Sequence, residues 1–154
     1  MLISIHRCPK TISRALVHDA VQFYANTLMR RQLVKHLTVK VIFKVDDVDG
    51  LCNPIDELTR PREFVLQINP NGTDKEVLTA LAHEMVHVKQ YATGESRQYE
   101  RKPHVTKFRG TMVNTHTTDY WDLPWEIEAY GRELGLYIRF MEYRENAKTK
   151  ADKT

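Results

Sequence analysis

Residues 83–87 read His83-Glu84-Met85-Val86-His87, within a stretch whose apolar residues recur at helical spacing. A helix is signalled at both of its ends. Thr73-Asp74-Lys75-Glu76 fits a capping box, in which a hydroxyl and a glutamate three residues later each satisfy a free backbone amide of the first turn. Gly94 supplies the stop, because glycine takes the left-handed conformation that ends many helices. Between them, Leu78, Leu81, Met85 and Val88 form an apolar face that must be buried. Side chains four apart lie one above the other on a helix, so His83 and His87 can reach a common point, with Glu84 beside them. Any fold of this chain must therefore give two imidazoles and a carboxylate partners next to a buried helix face.

The rest of the chain is of ordinary globular composition. Its 154 residues, 42% hydrophobic and 28% charged, suit one domain with its own core. Leu2 to His6 reads as a short strand. Ser13 to Leu33 reads as a long amphipathic helix through Leu16, Val17, Ala20, Val21, Tyr24, Leu28 and Met29. Leu37 to Val45 alternates and is β-branched, and Glu63 to Asn69 reads as a second such strand, ended by Pro70-Asn71-Gly72. Asp46 to Pro61, acidic and punctuated by Gly50 and two prolines, reads as an irregular loop. Lys107 to Thr115 carries Arg109-Gly110 between extended flanks, the pattern of a hairpin. Pro124 opens a last helix to about Glu145, with an expected inner stripe of Ile127, Tyr130, Leu134, Tyr137, Ile138 and Met141. The expectation is α+β: three principal helices with a small sheet in a single domain over 1–147, then a charged, frayed tail over 148–154.

Charge excludes little, but it gives no sign of nucleic acid: 23 basic residues against 20 acidic leave a net +3 with no basic stripe. No run approaches the ~18 apolar residues of a membrane span. The N-terminal MLISIHRCPK lacks the layout of a signal peptide, and two cysteines, Cys8 and Cys52, make no disulfide framework. These features predict a cytoplasmic protein without a membrane partner.

Two imidazoles on one helix turn favour Zn2+ over calcium or magnesium, and a glutamate beside them suits a base acting on water. A catalytic zinc site needs a third protein ligand. The metzincin extension is absent, because Gln90 and Thr93 occupy the positions of its glycine and third histidine. Glu126 and Glu128, in Pro124-Trp125-Glu126-Ile127-Glu128-Ala129-Tyr130, are the next candidates. The helical wheel favours Glu126, beside the expected inner face, over Glu128, which lies with Arg132 on the flank further from it.

HExxH followed at a distance by a glutamate on a second helix resembles the gluzincin arrangement. Glu126 to Ala129, as Glu-x-x-Ala, resembles the glutamate helix of minigluzincin and ImmA/IrrE-like metallopeptidases. The run from HEMVHVKQYATGE to DYWDLPWEIEAYGRE also resembles SprT-like putative metallopeptidases of phage and bacteria. The likeness spans roughly residues 60 to 143. It implies a compact zincin fold, with His83, His87 and Glu126 holding Zn2+, Glu84 as general base, and a peptide or protein as substrate. Two departures stand out. Thermolysin-type gluzincins have an acidic residue four positions after the ligand glutamate, where this chain has Tyr130, so the histidine must be oriented from elsewhere, with Asp119, Asp122 and a backbone carbonyl as candidates. SprT-like proteases use a third histidine, which makes His104 a rival ligand.

Tyr120, His116 and Tyr99 are candidates for stabilising an oxyanion, and spacing does not choose among them. Trp121 and Trp125 read as packing anchors, and His6, His18 and His36 carry no assigned chemistry. An extended substrate is expected to add to the edge of the Glu63 to Asn69 strand. Two further readings remain: a latent peptidase whose cleft is covered by the Ser13 to Leu33 helix or the Asp46 to Pro61 loop, and a non-catalytic zinc module that binds protein or nucleic acid.

Overall fold

A computed structural model of the protein describes residues 1–99 and 102–151. The chain is a mixed α+β unit of seven strands and four α-helices among the described residues. Strands β1 (Leu2–His6), β2 (Thr38–Phe43), β3 (Gly50–Pro54) and β4 (Glu63–Ile68) form one sheet, in the order β1-β2-β4-β3. The first three neighbours in that order are parallel, and β3 runs antiparallel to β4 at the edge. Helices α1 (Arg14–Leu28), α2 (Arg31–Val34), α3 (Asp74–Thr93) and α4 (Pro124–Ala151) complete the main body. A second, antiparallel sheet joins β5 (Ser96–Tyr99), β6 (Lys102–Phe108) and β7 (Thr111–Asn114).

The core follows from alternation on the strands and periodicity on the helices. Val39, Val41 and Phe43 of β2 and Phe64, Leu66 and Ile68 of β4 are buried on one sheet face. Against them lie Val17, Ala20, Val21 and Tyr24 of α1 and Leu78, Leu81, Met85 and Val88 of α3. The Tyr24 hydroxyl donates to the Leu78 carbonyl at 3.2 Å, which satisfies its one buried polar group and ties α1 to α3. Phe140 of α4 packs on the rings of Phe23 and Tyr24, with centroids 5.5 and 5.7 Å away.

The α3 start is the expected capping box: Thr73 Oγ1 accepts from the Glu76 amide, and Glu76 Oε2 accepts from the Thr73 amide. At its other end Gly94 adopts φ 79°. The β6–β7 turn places Arg109 at φ 46° and Gly110 at φ 92°, the paired left-handed conformations of a two-residue hairpin.

Four expectations change. The Asp46 to Pro61 segment is not all loop, because Gly50–Pro54 pairs with β4 as an edge strand. The expected first helix ends at Leu28, and its last turn is the separate α2. The last helix continues to Ala151, through the start of the supposed frayed tail; residues 152–154 lie outside the described residues. Finally, Tyr137 and Met141 of the expected inner stripe of α4 pack against the core, but its buried residues are Ala129, Leu136 and Phe140, whereas Ile127, Tyr130, Leu134 and Ile138 are exposed. Cys8 and Cys52 are both free thiols. Among the described residues, no helix is long and apolar enough to cross a membrane.

Candidate metal centre

The α3 helix leaves β4 through a short turn and runs beneath β3, with α4 packed along it. A cleft of about 1160 Å³ opens between them, lined on one side by Gly50, Leu51 and Cys52 and on the other by Tyr120, Tyr130 and Leu134. His83, Glu84, His87 and Glu126 lie on its floor.

His83, His87 and Glu126 converge. The two Nε2 atoms are 3.2 Å apart, His83 Nε2 is 3.3 Å from Glu126 Oε2, and His87 Nε2 is 3.5 Å from Glu126 Oε1. Tetrahedral zinc with bonds near ~2.1 Å sets its ligand atoms roughly 3.4 Å apart, so the three donors already stand at that spacing.

The other nitrogen of each ring has its own acceptor. His83 Nδ1 is 2.8 Å from Glu133 Oε2, and His87 Nδ1 is 2.9 Å from Gln90 Oε1. The Gln90 amide is oriented from its far side, where Nε2 donates to the Trp125 carbonyl at 3.0 Å and to Glu128 Oε2 at 3.1 Å. Its oxygen therefore faces His87, and the His87 Nδ1 must be the donor. With both Nδ1 protons committed, neutral imidazoles turn two Nε2 lone pairs towards each other and towards a carboxylate. Such an arrangement is repulsive without a proton or a cation at the centre, and the donor set of two imidazoles and one carboxylate fits zinc.

Electrostatics follow the same geometry. Burial pushes both histidine pKa values down, but hydrogen bonds to Glu126, with the nearby carboxylates, outweigh it and hold them above the ordinary range. Burial alone would raise Glu126; the bonds from His83, His87 and Tyr120 reverse that and keep it ionised well below the usual carboxylate range. Glu84 behaves oppositely. Its carboxyl is 5% exposed, has no hydrogen-bond partner among the described residues, and is pushed up by burial to about 7 despite the neighbouring histidines. Gly50 explains how β3 comes so close to it: a Cβ there would stand 2.5 Å from Glu84 Oε1 and 2.8 Å from its Cγ.

The other candidates separate. Glu128 is partly buried on the flank it shares with Arg132, as expected, and faces away from the triad into an ion network with Lys89 at 2.9 Å, Arg109 at 2.9 Å and Arg132 at 3.1 Å. His104 is exposed on β6, stacked on His116 at 3.7 Å between centroids, and belongs to no group of converging donors among the described residues. Of the three oxyanion candidates, only Tyr120 reaches the centre, its hydroxyl donating to Glu126 Oε2 at 2.8 Å. Tyr99 and His116 do not line the cleft. Asp119 accepts from the Trp121 amide instead of orienting a histidine. The Nδ1 atoms of the two rings are paired with Glu133 and Gln90, not with Asp122. Glu133 and Gln90 take that role, and neither was expected. The signal for Glu133 was available: it follows Glu126 by seven residues, two turns along the same helix face. Trp121 is 66% exposed and so is no packing anchor, while Trp125 packs on Phe108.

Two accessory expectations also change. β4 lies inside the sheet, so the strand edge facing the cleft belongs to β3. None of residues 13–33 lines the cleft; α1 is core and does not cover it. Residues 47–53 of the supposed covering loop form part of its wall.

No protein-family model, no curated protein and no solved structure matches the chain.

Proposed function

We propose that the protein is a zinc-dependent metallopeptidase of zincin-like arrangement, with His83, His87 and Glu126 as ligands and Glu84 as general base. The observation that carries this reading is the pair of facing Nε2 atoms, each freed by an acceptor on Nδ1, with Glu126 closing the triangle. Zinc held there would polarise a substrate carbonyl and make water acidic enough to be deprotonated near neutral pH.

The chain's own residues supply the rest. Glu84, with a pKa near 7, takes a proton from water as its oxygen bonds to the carbonyl carbon. It then gives that proton to the amide nitrogen as the C–N bond breaks, which balances the step. The Tyr120 hydroxyl can turn from Glu126 to donate to the developing oxyanion. Gly50 holds β3 close enough to keep Glu84 in place, and the free edge of β3 offers backbone groups to an extended peptide.

A purely structural zinc site is the weaker reading. It is normally closed by four protein ligands, whereas three converge among the described residues, and it gives no reason to keep a Glu84 without a hydrogen-bond partner beside the metal. The test is digestion of denatured casein by zinc-loaded protein, followed by mass spectrometry. The proposal expects fragments that vanish with a chelator and with Glu84→Gln. A zinc-loaded, folded protein that cuts no polypeptide contradicts it.

A further inference from the structure

Helix α4 carries two apolar stripes, and only one of them serves the core. Ala129, Leu136 and Phe140 are buried, while Ile127, Tyr130, Leu134 and Ile138 are 57%, 42%, 49% and 46% exposed. The outer four recur three or four residues apart, so they form one line about 16 Å long at 1.5 Å per residue. Trp121, 66% exposed, extends it, with its ring 5.2 Å from that of Tyr130. A contiguous exposed apolar surface of this kind marks a place where something binds.

Its position identifies the occupant. The Tyr130 ring packs edge-on against His83 at 4.6 Å, so the line passes directly beside the candidate metal ligands. Tyr130 and Leu134 also form one wall of the cleft, and the opposite wall carries Val48 and Leu51, 53% and 46% exposed. Apolar groups thus face each other across a space larger than the ~300–1,000 Å³ of small-molecule sites. About five residues of extended chain would span the length of the α4 line.

We propose that Trp121, Tyr130 and Leu134 form a ledge that seats a large aliphatic or aromatic side chain of an extended polypeptide, close to the bond being cut. This rests on the metallopeptidase reading and names its substrate class: unfolded or loosely folded segments rich in Leu, Ile, Met or Phe. Glycine- or alanine-rich and highly charged segments are excluded by the same surface, since they leave it wet.

The experiment uses Glu84→Gln protein, which keeps the cleft, and two synthetic peptides differing only by a central Leu or Ala. Binding is read from peptide anisotropy. The Leu peptide is expected to bind about tenfold to a hundredfold more tightly. Leu134→Ser and Trp121→Ala, both at exposed positions, are expected to erase that difference. Equal binding of the two peptides, or none, overturns the ledge. So does a Leu134→Ser change that converts a dimer to a monomer in light scattering while peptide binding stays the same, since the face would then be an interface between copies. Failure of the peptidase reading looks different: zinc-loaded wild type would leave casein intact. Casein cleavage with no apolar preference around the cut sites would reject the ledge alone.

Discussion

Nδ1 of His83 lies 2.8 Å from Oε2 of Glu133, a carboxylate fifty residues further along the chain. The bond fixes the ring's tautomer and rotation, so that Nε2 faces Glu126 and His87. A ligand imidazole held by a carboxylate is also a better donor.

Removing that carboxylate should weaken the metal without removing a ligand. Glu133→Ala is expected to lower zinc affinity about 10- to 100-fold, measured by competition with a chromophoric chelator. Glu133→Gln, which still offers an amide oxygen, should recover part of the loss. Unchanged affinity in both variants would show that the bond does not position His83.

Gly50 faces a different test. An added methyl would meet Glu84 Oε1 at 2.5 Å and Cδ at 3.0 Å, so either β3 or the Glu84 side chain must move. Gly50→Ala is expected to destabilise the fold by about 1–3 kcal/mol. It should also lower kcat on a peptide substrate while zinc content stays near one per chain. A variant with wild-type kcat would mean that Glu84 need not sit where β3 holds it.

The pH dependence of the metal-free protein follows from Glu84. Its carboxyl is ionised above about 7 when folded and above its ordinary 4.5 when unfolded. Between those values the folded chain binds more protons, so stability falls as pH rises through the window. The full gap corresponds to about 3 kcal/mol. Metal-free Glu84→Gln should therefore unfold at higher denaturant than wild type above pH 7, by at most that amount, with the advantage shrinking towards pH 4.5. Equal stability at pH 8 would contradict the buried, unpartnered state of Glu84.

Tyr120 separates catalysis from ligation. Its hydroxyl donates to Glu126 but is not among the converging donors. Tyr120→Phe is expected to lower kcat about 10²- to 10³-fold with zinc retained. Loss of zinc instead, with kcat restored by excess metal, would make Tyr120 a support for Glu126 only.

Local signals carried much of this molecule. The α3 helix was legible because its cap, its apolar period and its glycine stop all lie within its own sequence, and His83, Glu84 and His87 came with it. Glu126 was legible because two residues of helix turn Glu128 to a different face. The α4 core face was not, because bulk misled: Tyr130 and Leu134 are large and apolar yet turn to the cleft, while small Ala129 packs inward. β3 escaped notice because Gly-Leu-Cys-Asn-Pro at a sheet edge has no alternating apolar pattern; pairing with β4 makes it a strand. Gln90 lies one turn from His87 on α3, but the groups that turn its oxygen to the ring, the Trp125 carbonyl and Glu128, lie on α4 and left no local signal.

The most direct measurement is zinc content by mass spectrometry of purified wild type beside Glu126→Gln, Glu128→Gln and His104→Ala. About one zinc per chain is expected in wild type, Glu128→Gln and His104→Ala, and a marked loss in Glu126→Gln alone. Full occupancy in Glu126→Gln with loss in His104→Ala, or no zinc bound by any folded sample after zinc is added, would contradict this expectation.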